Sequence, residues 1–197
     1  MTFTTHKDVE NRVGKVEPEY KYVLGPGVRT RWPLGTEVTL SLCSPDFSEN
    51  TDVLGRHLWN EALGDSLKIN FSVLETYPPF SDLNHHCIYV VHDFYKVNPE
   101  NKIRLLPAET FTLANPRTQN IFDADIFVYE SELNKVQLTA SDLLNSSFAS
   151  RFMTHEIGHF LGLDHMFEDD VKSIMSYDTE NKNQLYSYDF KAIQKEL

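Results

Sequence analysis

His155-Glu156-Ile157-Gly158-His159-Phe160-Leu161-Gly162-Leu163-Asp164-His165 is the stretch on which the reading of this chain turns. It has the form H-E-x-x-H-x-x-G-x-x-H. Residues four apart on a helix lie one turn above each other, so His155 and His159 aim two imidazoles at one point. Glu156, one step round from His155, borders the same face. A tetrahedral zinc needs a third nitrogen from another direction, which the next turn of the same helix cannot offer. The chain therefore has to turn back. Gly162 stands where the helix must stop, because glycine enters the left-handed backbone region without a Cβ clash. His165 then returns to complete the set. Three protein ligands leave the fourth position of one catalytic zinc to water, with Glu156 as the adjoining general base. H-E-x-x-H alone can recur by accident, but the added Gly and His make coincidence a poor competitor.

With 197 residues the chain can build one domain with a real core and is too short for two of ordinary size. A formal charge of −11 repels phosphate backbones and anionic lipid, so a protein or peptide substrate suits it better than nucleic acid. No apolar run approaches the roughly 18 to 20 residues that span a bilayer, so no membrane insertion is expected. The opening residues, MTFTTHKDVENRVGK, lack the apolar middle of a secretory signal. Three situations stay open: export by a route that reads no such signal, a mature fragment given a new start, or an intracellular enzyme. A monomer is expected. Cys43 and Cys87 can pair in an oxidising compartment or stay free as buried thiols.

Residues 1–30 are polar, with Gly14, Pro18, Gly25, Pro26 and Gly27 scattered through them, and read as an N-terminal extension or arm. Residues 31–197 read as the domain. Glu37 to Leu42 alternates with the period of a half-buried strand. A helix follows, with Ser48, Asn50 or Asp52 as N-cap and Val53, Leu54, Leu58, Trp59, Ala62 and Leu63 at helical spacing until Gly64. Lys68 to Leu74 alternates again, and Cys87 to Val91 is a continuous apolar run suited to a central strand. Thr110 to Ala114 and Ile121 to Tyr129 are two further strands, with Asn115 and Pro116 turning between them. After a polar connection from Thr139 to Ser147, Phe148, Phe152, Ile157 and Phe160 mark the core side of the motif helix. Tyr188 to Leu197 forms a short closing helix docked through Phe190, Ile193 and Leu197.

Beyond the motif lies Ser173-Ile174-Met175-Ser176-Tyr177, with Met175 ten residues after His165, and here the chain resembles the metzincin clan of zinc metallopeptidases, whose motif helix is followed by a methionine-containing turn. The resemblance implies that Met175 is an apolar floor beneath the histidines that does not ligate the metal. Tyr177 resembles the tyrosine that astacin-like and serralysin-like members place near zinc, where a phenol ligates the metal or hydrogen-bonds the oxyanion; the plainer reading is a tyrosine in the pocket wall. From about residue 32 onward the element order is similar to that of the matrixin-like metzincins. Arg56-His57-Leu58-Trp59-Asn60-Glu61-Ala62 resembles their first helix, and Tyr188-Asp189-Phe190-Lys191-Ala192-Ile193-Gln194 their closing one. What this implies is a mixed α/β zincin fold of the α+β class: a twisted, mostly parallel sheet of about five strands with an antiparallel edge strand, a backing helix, the zinc helix and a C-terminal helix.

The implied activity is that of an endopeptidase. Zinc on His155, His159 and His165 makes water nucleophilic near neutral pH, and Glu156 takes its proton and returns it to the leaving amine. Substrate is expected to add as a strand along the exposed edge near Thr110 to Ala114, with Thr112, Leu113 and Ala114 as the binding residues. Competing readings are an inactive zincin-like domain that binds a peptide or partner, and a zinc amidohydrolase of small molecules. The acidic arm, with Asp8, Glu10, Glu17 and Glu19, lends itself to a prosegment as well as to a solvated tail. No Pro-Arg-Cys-Gly cysteine switch is present. Nor is there a glycine- and aspartate-rich loop of the kind that carries calcium and a second zinc, and His85, His86 and His92 lack the spacing for such a site, so bound calcium has no support here.

Overall fold

Strand β1 (Glu37–Leu42) buries Val38, Leu40 and Leu42, as its period of two requires. Helix α1 (Leu54–Leu63) then carries the chain to β2 (Lys68–Val73), which pairs with β1 in parallel, and parallel neighbours need such a crossover. β3 (His86–Val91) lies on the other side of β1, also parallel, and β5 (Ile121–Tyr129) lies parallel beside β3. β4 (Ala108–Ala114) runs antiparallel to β5 and forms the edge, giving the order β2-β1-β3-β5-β4. The five-stranded, mostly parallel sheet with one antiparallel edge is the architecture expected from the sequence. In this computed structural model the residues described are 20–25, 28–47, 53–91, 107–145, 149–168, 170–177 and 183–194. No helix among them is long and apolar enough to cross a membrane.

Two short helices follow β5, α2 (Glu130–Lys135) and α3 (Ala140–Asn145), the second in the expected polar connection. Six residues cannot display a 3.6-residue period, yet Leu133, Leu143 and Leu144 are fully buried and fasten both helices to the core. The motif helix α4 (Ser150–Phe160) and the closing helix α5 (Ser187–Gln194) complete the fold. Helix α5 docks through Tyr188, Ala192 and Ile193, with Phe190 half-buried at the margin. Phe148 and Leu197 lie outside the described residues. So do Ser48, Asn50 and Asp52; Val53, extended and without a side-chain cap, precedes the first turn of α1.

One face of the sheet, with Leu40, Ile88, Ile126 and Val128, packs with α1 and α4 in the main core. The opposite face carries a second cluster of Cys43, Cys87, Tyr89, Val91, Phe127 and Tyr129. Cys43 and Cys87 are joined there as a disulfide that links the end of β1 to β3. Packing also reaches further back than residue 31. Tyr20 and Tyr22 are buried, Tyr20 stacks on Tyr188, and the Tyr22 hydroxyl donates to the Ala192 carbonyl. Residues 21–23 pair with the loop after Gly162: Val23 N–H donates to the Gly162 carbonyl and Asp164 N–H to that of Lys21, each at 3.0 Å. This contact joins two segments remote in sequence, so local pattern does not announce it. The acidic residues Asp8, Glu10, Glu17 and Glu19 lie outside the described residues.

Candidate metal centre

Every residue of α4 except Phe152 is buried, although its sequence SRFMTHEIGHF is half polar. Burial of polar groups is tolerable only with partners, and each finds one. Asn183 bridges Ser150 and Thr154 at 2.6 and 2.7 Å. The indole of Trp59 donates to the Thr154 carbonyl and that of Trp32 to the Phe160 carbonyl, both at 2.8 Å. The second bond satisfies one of the carbonyls that a helix end leaves unpaired. Past Leu161 the chain enters Gly162 at φ +102°, with Gly162 N–H on the His159 carbonyl and Leu163 N–H on that of Gly158. These two bonds form a Schellman stop. The reversal returns His165 to the face that carries His155 and His159.

The ligand-capable nitrogens of these three histidines lie within 4.8 Å of one another. Nε2 of His159 is 3.1 Å from Nε2 of His155 and 3.1 Å from Nε2 of His165. Whether this trio suits a cation is settled by what the other ring nitrogens touch. His155 Nδ1 is 2.8 Å from the Ile174 carbonyl and His159 Nδ1 is 2.7 Å from that of Leu163. Carbonyls only accept, so both protons sit on Nδ1 and both Nε2 atoms present lone pairs inward. His165 Nδ1 faces the Asp164 carboxylate at 3.5 Å, which favours the same tautomer. Burial keeps the rings uncharged: with repulsion from neighbouring histidines it pushes His155 well below the usual histidine range and His159 down to about 4, and by itself it lowers His165 against the opposing charge of Asp164. Three converging lone pairs without a proton between them are unfavourable alone and are the donor set of a tetrahedral zinc, whose ligand atoms stand about 3.4 Å apart at Zn–N of about 2.0–2.1 Å. The residues fit the ion. Adding zinc at 1,000 times its dissociation constant to metal-free protein is expected to stabilise the fold by about 4 kcal/mol, seen as a higher unfolding temperature. His159→Ala should erase that gain, and a gain that survives in the variant would refute the assignment.

Beneath the trio runs a turn from Ser173 to Ser176. Met175 packs directly under α4 because Gly158 has no side chain; a Cβ there would collide with the Met175 sulfur. Asp189 of α5 holds the turn by accepting from the Ser173 hydroxyl and the Ile174 N–H. Since the Ile174 carbonyl receives the His155 Nδ1 proton, α5 is connected to the ring orientation of His155 through the single residue Ile174. The Tyr177 hydroxyl stands 2.7 Å from His165 Nε2, at the open side of the trio.

Glu156 is buried on the same helix face, and burial pushes its carboxyl up to about 7 despite a 2.7 Å hydrogen bond from the Thr110 hydroxyl. Thr112, two residues along β4, donates to the His159 carbonyl. The edge strand is thereby pinned to α4 by alternate threonines. The sequence placed Thr110 in the edge strand but gave no sign of its bond to Glu156 beyond the T-x-T alternation of Thr110 and Thr112. Between β4 and the histidines lies an open cleft of about 360 Å³, bordered by Val23, Ala108 to Thr112, Glu156, His159, His165 and Tyr177. Thr112 is thus beside the cleft, and Leu113 and Ala114 continue the same strand beyond it. A smaller recess of about 80 Å³ opens beside His155 between Arg151, Phe152, Ser176 and Tyr177.

Among the described residues no other group of His, Cys, Asp and Glu has the spacing of a metal site. His85 pairs with Asp82 at 2.9 Å, and His86 pairs with Asp123 at 3.1 Å while packing against Trp32. His92 lies outside the described residues.

Residues 58–196, which hold the motif helix, the turn and the closing helix, match the sequence profile of the family Matrixin. The chain belongs to the matrixin family. It is a family of zinc metallopeptidases, and the matching segment covers most of the domain. Among solved structures the chain is similar to archaemetzincin from Methanopyrus kandleri, with 15% sequence identity and a TM-score of 0.47 over 83% of this chain and 97% of that one. Comparison with curated protein sequences finds no match.

Proposed function

We propose that this matrixin-family protein is a zinc-dependent endopeptidase in which His155, His159 and His165 hold the metal and Glu156 acts as general base. The observation that carries this reading is the buried Glu156 carboxylate on the face where three uncharged Nε2 atoms converge, opening on a cleft along β4, the edge strand of the sheet among the described residues. When bound, zinc supplies Lewis acidity and lowers the pKa of water toward about 7. The remaining steps belong to side chains. Glu156 takes a proton from the attacking water as its oxygen bonds to the peptide carbonyl carbon, and passes that proton to the amine as the C–N bond breaks. The Thr110 hydroxyl fixes the carboxylate orientation. Tyr177 donates a hydrogen bond to the oxyanion.

An extended peptide suits the cleft better than a small amide, because β4 is the edge of the sheet among the described residues and an added strand can pair along it. The recess beside His155 has room for one side chain of moderate size. Casein digestion and cleavage of a quenched peptide, each with and without a chelator, test the reading; intact casein in the zinc-loaded sample would end it. Tyr177→Phe should lower kcat by roughly 100-fold with little change in KM and full zinc content. An unchanged kcat would return Tyr177 to the pocket wall. The disulfide between Cys43 and Cys87 supports work in an oxidising compartment outside the cytoplasm.

A further inference from the structure

Phe167 is the most exposed large apolar side chain among the described residues, at 66%, and it stands two residues after the third histidine of the trio. Its neighbour explains why it faces outward. Met166 is fully buried and its N–H donates to the Met175 carbonyl at 3.1 Å, which pins the chain there with Met166 turned into the core. Phe167 is left on the outer side, but in contact with the site. Its ring stacks on that of His165, with centroids 5.3 Å apart and planes at 23°, and lies 5.6 Å from the ring of Tyr177. The rings of His165 and Tyr177 are themselves 4.7 Å apart. Three rings thus close on one another at the open side of the trio, and of these only the phenyl has no polar atom. Held against a ligand-capable imidazole and left largely in water, it is placed to take up apolar surface from a bound molecule.

The course of β4 past the metal centre points to the part of the substrate that meets this ring. β4 and α4 run side by side in the same direction, because Thr110 bonds to Glu156 and Thr112 to the His159 carbonyl. The recess, bordered by Pro107, Ala108, Arg151 and His155, lies at the start of both. Asp164 and His165, on the loop that follows α4, border the cleft and not the recess. Antiparallel pairing is the more stable way for a peptide to add to a strand, and a peptide running against β4 passes His165 before it reaches the recess. Residues that precede the cleaved bond then lie over His165 and Phe167, and the residue that follows it enters the recess. Consecutive Cα atoms are about 3.8 Å apart and alternate side chains share a face, so one of the first two side chains before the bond comes to the Phe167 ring. We propose that Phe167 is a specificity-determining residue that takes an apolar side chain of the substrate one or two residues before the cleaved bond. This rests on the peptidase reading, which makes the ligand a peptide.

The test is a calorimetric titration of the zinc-loaded full chain with three probes that anchor on a metal through a hydroxamate and carry side chains only on its acyl side. They are the hydroxamates of acetyl-Ala-Ala, acetyl-Phe-Ala and acetyl-Ala-Phe. One of the two Phe probes is expected to bind about tenfold or more tighter than the Ala-Ala probe. Phe167→Ser should remove most of that advantage and Phe167→Leu should keep most of it, with one equivalent of zinc in both variants. No advantage for either Phe probe, or an advantage that survives Phe167→Ser, overturns the proposal. Loss of zinc from Phe167→Ser also overturns it, by making the phenyl a support of His165 instead of a substrate contact. Binding of these probes requires the metal but no turnover, and casein cleavage is scored separately. Intact casein together with a Phe167-dependent advantage would end the peptidase reading and leave the apolar subsite standing.

Discussion

Replacement of Glu156 by Gln is expected to reduce kcat by about 10³-fold or more while one equivalent of zinc stays bound. The two side chains have nearly the same shape, and the amide oxygen can still accept the Thr110 hydroxyl that Glu156 accepts at 2.7 Å. What is lost is the capacity to take a proton, since an amide is not a base near neutral pH. None of the three converging Nε2 atoms belongs to residue 156, so metal content should be untouched. Peptide hydrolysis rates and metal analysis of the same preparation check both halves. Parallel loss of zinc and activity would mean that Glu156 is a structural support of the site and not its base.

Gly162→Ala is expected to destabilise the fold by more than about 3 kcal/mol. Two penalties combine there. A residue with a Cβ at φ +102° is strained by about 1–3 kcal/mol, and the new methyl would also collide with the Thr30 carbonyl oxygen, where the N-terminal segment crosses the loop. Gly35 provides the comparison, because its φ is +72° and nothing lies within 4 Å of an added Cβ. Gly35→Ala should show the strain alone. Urea unfolding of both variants gives the ranking, and a Gly162→Ala loss no larger than that of Gly35→Ala would mean that the crossing segment yields easily. Because Gly162 also brings His165 round, its substitution should weaken zinc binding too.

The metal centre was legible because a helix and its stop use only neighbouring residues. His155, His159, Gly162 and His165 lie within eleven positions, and fixed helical geometry converts that spacing directly into convergence. The strands were legible for the same local reason, as alternation at Val38, Leu40 and Leu42 shows. Whatever depends on distant partners was not. Cys43 and Cys87 are 44 residues apart, and their pairing follows from the adjacency of β1 and β3, which no local pattern states. The same holds for residues 21–23, expected in an arm and found paired to the loop after Gly162. The edge strand was placed correctly, and of its residues Ala108 to Thr112 border the cleft while Leu113 and Ala114 lie further along the strand. Register depends on how β4 pairs with β5 and leans on α4, and a strand sequence carries no mark of where along its length a helix will touch it.

The chain has two tryptophans, and each indole nitrogen is bonded to a carbonyl of α4, one within its middle turns and one at its last residue. Intrinsic emission therefore reports on this helix from two points along its length, with no other indole to blur the signal. Ultraviolet excitation near 295 nm is thus a built-in, label-free optical gauge of whether the histidine-bearing helix is seated.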